Sequence, residues 1–432
     1  MSLPAVIEPC EFFRRLLGLG EPWQVTAVEI KKNGETQPGY VDIKLNHPRK
    51  QKFKCPKCDQ NCAIADHGKS RSWRHLDSMH LMTYINAAPP RTDCPKCGVL
   101  TIELPWAEAD SRVTRYFESF ALMVIVHCGN FKGAAELLRC DYDAVERMVE
   151  RAVGRGKDRR GEIKATRLGL DETQWCSGMA GGSFITVLTD LQNKVVLAVE
   201  PGKSSESANK ALDCMTEENL ANVVDASTDF ATDFTSVVDE RLPQAVHSID
   251  KFHVSQLAHK ALDAVRRQEL SDLKTEEGQP SLKKMRLPLL KSYNKLDSKG
   301  QTRLLTILAV AKKTAKAHEA KETLTEIMAT KGITPEEGKA MLEAWCDVTK
   351  RSQIKQLKTL SNTISKHLDK ISNYFRRQTT NAATEGLNGK IKTVIADANG
   401  LGSVETLTTR IFFFLGGLDK EPEGVPKELW YY

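Results

Sequence analysis

The tetrapeptide Cys-Pro-Lys-Cys occurs twice, at residues 55–58 and 94–97, the second copy followed by Gly98. A tight turn of this kind presents two thiolates from one side. Two such turns complete the four-sulfur tetrahedron that Zn²⁺ favours. Chance spacing or a redox pair would not explain why the same four residues recur. The chain between these turns is therefore expected to close around one ion held by Cys55, Cys58, Cys94 and Cys97. Five of the 11 cysteines fall between positions 55 and 97 and the rest are scattered singly, a distribution that reads as metal binding rather than disulfides. Cys62 is a spare thiol, with His67 and His80 as weaker substitute ligands. A closed four-sulfur site is structural and performs no chemistry.

The 432 residues allow two to four domains, and 41% hydrophobic with 27% charged residues excludes a largely disordered chain. A formal charge of +6 permits a nucleic-acid partner without requiring one. The longest apolar runs, residues 121–126 and 411–415, fall far short of the roughly 20 needed to span a bilayer. The N-terminus lacks the apolar core of a signal peptide. The expectation is a soluble, intracellular protein, with the cytoplasm as its location.

Residues 23–31 and 40–45 alternate apolar with polar positions and read as strands, as does 81–87. From Val113 the period turns helical. A helix over 131–138, a turn at 139–141 and a helix from Tyr142 to near Gly154 have the proportions of a helix-turn-helix. Arg151, Arg155, Lys157, Arg159 and Arg160 follow as a basic linker opposed only by Asp158. Phosphate contacts from such residues supply much of the affinity for DNA. A plain helical hairpin with a solvated charge run is the competing reading. Three apolar runs at 165–170, 183–188 and 194–199 predict an antiparallel meander. Helix, strand, helix and strand follow at 204–215, 222–225, 231–241 and 245–249, which makes a mixed α/β sheet. About 110 helical residues then interrupt it as an insertion, and the chain returns to helices around Glu385 and over 407–415.

Asp171 follows Leu170 at the end of the first sheet strand, and Asp225 follows Val224 at the expected end of the fourth. Neighbouring strands would bring the two carboxylates side by side. Glu385 lies near the start of a helix able to cover the sheet. Converging carboxylates need cations to neutralise them. Hard oxygen ligands with open positions suit Mg²⁺, and two such ions about 3.5–4 Å apart serve in-line phosphoryl displacement. The competing reading is structural, since acids at strand ends often cap the next helix.

Four segments carry a resemblance: GLDET (169–173), VVDASTDF (223–230), IDKFHV (249–254) with Arg266-Arg267 after it, and NAATEGLNGKIK (381–392). In this order, behind the two knuckles and the helix-turn-helix, they resemble the DDE transposases of bacterial insertion sequences. The likeness extends from the knuckles to Phe414. It implies a retroviral-integrase-like, RNase H-like core in which Asp171, Asp225 and Glu385 hold two catalytic Mg²⁺ ions. Asp229 and Asp233 rival Asp225 but lie beyond the expected strand end, and Glu172 would face away from Asp171 on the strand. Asp250 and His253 resemble a second signature of related transposases, either bracing the site or touching the scissile phosphate. Where the family usually continues with a Lys-Arg pair, Ile395-Ala396 stands, leaving Lys390 and Lys392 as DNA contacts. Trp345, the insertion's only tryptophan, matches one that related transposases stack on a flipped base; packing between helices is its bland alternative.

The fold expected is multidomain α+β: a zinc-bound β module (1–106), a helix-turn-helix with basic linker (107–160), an RNase H-like core in two parts (161–258 and 372–416) around a helical insertion (259–371), and a tail (417–432). The function implied is binding of terminal inverted repeats, Mg²⁺-dependent strand cleavage and strand transfer into target DNA. Arg147, Arg151 and Arg155 are candidate DNA contacts, and a homodimer on DNA, associated with the nucleoid, is the expected assembly. The alternative is an inactive zinc and helix-turn-helix regulator derived from such an enzyme.

Overall fold

Val41, Ile43 and Leu45 alternate with polar neighbours, and the alternation becomes a strand with one dry face. The computed structural model describes residues 7–33, 37–176, 184–273, 286–377, 381–397 and 403–426; side chains at 33, 37–38, 270–273, 377 and 381–385 lie outside that description. Two units form, one of Met1–Arg159 with Leu418–Tyr432, the other of Arg160–Gly417.

The first unit opens with α1 (Pro9–Leu16), β1 (Gln24–Asn33) and β2 (Gln37–Asn46). There follow β3 (Phe53–Lys54), β4 (Asn61–Cys62), β5 (Ile64–His67), β6 (Arg71–Ser78), β7 (Leu81–Ala87), β8 (Pro90–Cys94) and β9 (Gly98–Thr101). The main sheet runs β1-β2-β7-β6, with β2 and β7 parallel. Trp23, Trp73 and Trp106 anchor its core, Trp23 standing edge-on to Trp106 with ring centroids 4.6 Å apart. The strands expected from alternation at 23–31, 40–45 and 81–87 match β1, β2 and β7. The shorter β3 to β5, β8 and β9 carry too few alternating positions to signal themselves.

Three helices continue this unit: α2 (Arg115–Cys128), α3 (Phe131–Leu138) and α4 (Tyr142–Arg159). Asn130 caps α3 by accepting the Gly133 amide at 2.7 Å, and Arg139 ends it in the left-handed region with φ 51°. Ala134, Ala135, Val145 and Met148 are buried where the helices cross. The last helix does not stop near Gly154 as expected but runs on to Arg159, so the basic linker is helical. A glycine mid-helix weakens a helix without ending it. Gly156 has a packing reason: a Cβ there would lie 2.6 Å from Leu418 Cβ. From Leu418 the chain crosses α2 and α4, with Arg155 donating to Lys420 O (2.9 Å) and Arg159 to Glu421 O (2.6 Å). The described part of the tail, up to residue 426, is thus packed on the helix-turn-helix.

The second unit holds β10 (Arg167–Gln174), β11 (Phe184–Asp190), β12 (Val195–Pro201), α5 (Ser205–Leu212), α6 (Glu217–Ala221), β13 (Asp225–Thr228), α7 (Thr232–Arg241) and β14 (Val246–Ile249). Its sheet order is β12-β11-β10-β13-β14, antiparallel through β10 and parallel beyond it. That is the RNase H-like arrangement expected from the resemblance. Gly169 on β10 permits a close approach, since a Cβ would meet Thr189 Oγ1 at 2.7 Å and force a neighbour to shift. Next come α8 (Lys251–Leu273), α9 (Arg286–Leu290), α10 (Ser298–Val310), α11 (Lys312–Ala329), α12 (Pro335–Arg351), α13 (Lys355–Lys366), α14 (Leu368–Ser372), α15 (Asn381–Asp397) and α16 (Val404–Leu415). The helices from α8 to α14 share one core around Leu304, Leu324, Leu342 and Ile364. Thr334 and Glu337 form a reciprocal capping box that starts α12 at Pro335. Among the described residues no helix is long and apolar enough to cross a membrane.

Candidate active site

The parallel pairing of β10 with β13 decides which acids meet. Arg167 pairs with Asp225, Leu168 with Ala226 and Gly169 with Ser227. Continued two residues, that register brings Asp171 level with Asp229. The expected placement of Asp225 at a strand end is therefore corrected: Asp225 begins β13, and its carboxylate lies 3.3 Å from the Arg167 guanidinium. At about 3.3 Å per residue, the four residues from Asp225 to Asp229 separate them by roughly 13 Å along the strand. The apolar pair Val223-Val224 had suggested strand. Val223 instead closes a turn, its amide donating to Leu220 O at 3.0 Å, and fills the core beneath α6.

Asp171 is held on both oxygens. Its Oδ1 accepts the Glu172 amide at 2.8 Å, and its Oδ2 accepts Nδ2 of Asn388 on α15 at 2.6 Å. His253 on α8 places Nε2 3.7 Å from the same Oδ2. Asp229 turns its Oδ1 to the Ala231 amide at 2.8 Å, which shapes the entry to α7. Asp250 is buried after β14 and accepts the Phe252 amide at 2.9 Å, starting α8 so that His253 faces the sheet.

The electrostatics bind these groups into one cluster. Burial opposes charge on the His253 ring, but Asp171, and then Asp250 and Asp229, outweigh it and hold its pKa above the usual histidine value. Burial pushes the Asp229 carboxyl up, with Asp171 adding to the rise and the Ala231 amide and His253 resisting it. Glu172, expected to face away, also senses the cluster: burial first, then the charges of Asp229 and Asp171, raise its carboxyl despite Lys203. Position 385 lies within α15, but its side chain is outside the described residues. Among the described residues, only the cysteine set brings three or more ligand atoms within 4.8 Å of one another.

That set is Cys55, Cys58, Cys94 and Cys97. Each knuckle is a hairpin turn. Cys55 donates its amide to Gln60 O at 2.9 Å between β3 and β4, and Cys94 pairs with Gly98 between β8 and β9. Cys58 Sγ and Cys94 Sγ lie 3.6 Å apart across the two turns. Four soft donors gathered this closely suit a structural zinc ion. Cys62 is buried nearby but turns its sulfur to Gln60 O at 3.2 Å. His67 meets His47 through their Nε2 atoms at 2.9 Å, and His80 is exposed.

Several expected DNA contacts are engaged elsewhere. Arg151 bonds Glu118 through Nε at 3.1 Å, and Arg155 pairs with both Glu108 (2.6 Å) and Glu118 (2.7 Å). Both arginines serve as internal anchors here, because Glu118 is only 2% exposed and draws them onto α2. Glu118→Ala takes a buried carboxylate from two guanidinium groups, although Arg155 keeps Glu108 and Lys420 O. It is expected to lower stability by about 3 kcal/mol, read as the denaturant midpoint of the full chain. Arg147, Lys390 and Lys392 are exposed. Trp345 is 5% exposed, and its indole donates to Ala320 O at 2.9 Å between α11 and α12, so in this structure it packs between helices rather than offering a stacking face.

Comparison with known proteins agrees with this order of parts. Residues 51–97 match the zinc-finger of transposases IS204/IS1001/IS1096/IS1165, residues 102–153 the helix-turn-helix domain of transposase family ISL3, and residues 168–411 the ISL3 transposase DDE model. The transposase for insertion sequence element IS1557 of Mycobacterium tuberculosis is 25% identical over 431 residues, covering 94% of this chain and 95% of that protein. The transposase for IS1001 of Bordetella parapertussis is 22% identical over 406 residues, covering 93% and 97%. Zinc finger, helix-turn-helix and RNase H-like sheet in one chain define the class, a DDE-type transposase of an insertion sequence. The chain belongs to the ISL3 transposase family.

Proposed function

We propose that this chain binds the terminal inverted repeats of its own insertion sequence, cuts DNA at the element ends and joins them to target DNA. Asp171, Asp229 and Glu385 are the acidic triad in this reading, with Asp229 taking the part expected of Asp225. The observation that carries it is the register of β10 and β13, which levels Asp171 with Asp229 beside His253 and under the helix that contains position 385. Carboxylate oxygens are the hard donors that Mg²⁺ takes, and the Asp229 carboxyl, pushed up first by burial and then by Asp171, is one that a cation would help to ionise. Mg²⁺ would supply charge neutralisation during in-line displacement at phosphorus.

In the chemistry proposed, water bonds to phosphorus as the bond to the 3′ oxygen breaks, and that oxygen leaves as a 3′-hydroxyl. The hydroxyl then attacks a phosphodiester of the target, releasing a target 3′ oxygen. His253, whose protonated form the surrounding carboxylates favour, braces Asp171 and is placed to meet a phosphate. Arg147, Lys390 and Lys392 are the exposed cations offered to the DNA backbone. Cutting two ends in concert calls for a homodimer on DNA, acting on the nucleoid in the cytoplasm.

A duplex bearing the terminal repeat, incubated with the full chain and Mg²⁺, is expected to be nicked at the element end and to yield joined products once target DNA is added. Binding without nicking in Mg²⁺ or Mn²⁺ would make the chain a regulator. Nicking without joined products would make it a nuclease.

A further inference from the structure

We propose that Asn388 is a positioning residue for Asp171, fixing its carboxylate for a divalent cation and tying α15 to β10; this rests on the acidic-triad reading above. The amide Nδ2 donates to Asp171 Oδ2 at 2.6 Å, a bond between residues 217 positions apart in sequence. Asp171 Oδ1 is already taken by the Glu172 amide. A carboxylate offers about four lone-pair sites, so one donor on each oxygen orients the group and leaves acceptor capacity facing outward. His253, at 3.7 Å, is too far to substitute as the hydrogen-bond donor to Oδ2.

The helix is built to deliver this amide. Leu387, Ile391 and Val394 are buried at helical spacing and set the face that α15 turns inward. Asn388, next to Leu387 and half-buried, sits at the edge of that face. Position 385 lies three residues earlier, on the same side of the helix by geometry. A bond that pins Asn388 to Asp171 therefore sets the height and rotation of the turn containing 385. Without the bond, the terminal torsion of Asp171 regains a broad range, and part of the ion's binding energy must go into ordering it. Partners that orient metal ligands in this way cost about 10–100-fold in metal affinity or activity when removed.

The test measures Mn²⁺ binding to the full chain with terminal-repeat DNA, from the electron paramagnetic resonance signal of unbound Mn²⁺, alongside cleavage. Asn388→Leu keeps the volume and loses the donor; Asn388→Ala loses both; Asn388→Gln keeps the amide on a longer arm. Leu and Ala are expected to weaken Mn²⁺ binding by about 10–100-fold, with an unchanged Kd for DNA and cleavage largely restored at saturating Mn²⁺, and Gln to recover part of the affinity. A Leu variant that binds Mn²⁺ like the wild type overturns the proposal, as does cleavage lost beyond rescue by the ion. If Asp171→Asn binds as much Mn²⁺ as the wild type, the triad reading itself fails, and Asn388's part falls with it.

Discussion

Asp229→Asn is expected to abolish strand cleavage, by at least about 10³-fold, while Asp225→Asn stays within a few-fold of the wild type. The two substitutions remove the same charge from the same short strand, so their difference isolates position. Asp229 lies level with Asp171 and shares its field with His253, whereas Asp225 sits roughly four residues back against Arg167. A factor of 10³ corresponds to about 4 kcal/mol of transition-state stabilisation, a reasonable loss for one anionic ligand in a metal-assisted phosphoryl transfer. Asp225 pairs with a partly exposed arginine, and its loss should cost stability on the scale of about 1 kcal/mol or less. End binding, measured by gel shift, should survive both changes. If Asp225→Asn were the dead variant, Asp225 and not Asp229 would be the second acid of the triad.

Apolar side chains signal burial, and Val223 is buried, but burial does not distinguish a strand from a turn that fills the same core. The ladder register with β10 and β14 starts at Asp225, and Val224 only leads into it, its amide donating to Thr166 O and its carbonyl accepting from the Val246 amide. A three-residue shift in a four-residue strand puts Asp229, not Asp225, just past its end. Longer patterns were legible: the meander and the helices flanking β13 stand close to where periodicity put them.

The internal partners of the arginines were hidden for a different reason. A run such as Arg151, Arg155 and Arg159 looks solvated when its opponents are remote in sequence, but Glu108, Glu118 and the carbonyls of residues 420 and 421 reach it through the fold. Asn388 gave no signal at all. A neutral amide in a motif read for its glutamate becomes visible only when a strand more than 200 residues away arrives beneath it.

Removing zinc should undo the N-terminal ribbon while sparing the catalytic unit. Structural zinc sites contribute about 10–16 kcal/mol of apparent binding free energy, comparable to the whole stability of an ordinary domain. The strands β3, β4, β8 and β9 are two to five residues each, and among the described residues the cysteine cluster has Leu100 as its one apolar partner beyond its own sulfurs. So little apolar area cannot hold those hairpins together once the thiolates repel or reprotonate. Chelation, or Cys94→Ser, is therefore expected to release one zinc per chain, measured by elemental analysis, and to abolish binding to terminal-repeat DNA. Cys62→Ser should retain the metal, because that sulfur already faces Gln60 O and stands outside the set of four. The unit from Arg160 to Gly417 keeps its own cores around Leu188 and Phe234 and around Leu324 and Leu342, so its melting transition should persist after zinc is gone. Loss of that transition on chelation would mean that the ribbon supports the catalytic unit as well as the DNA-binding one.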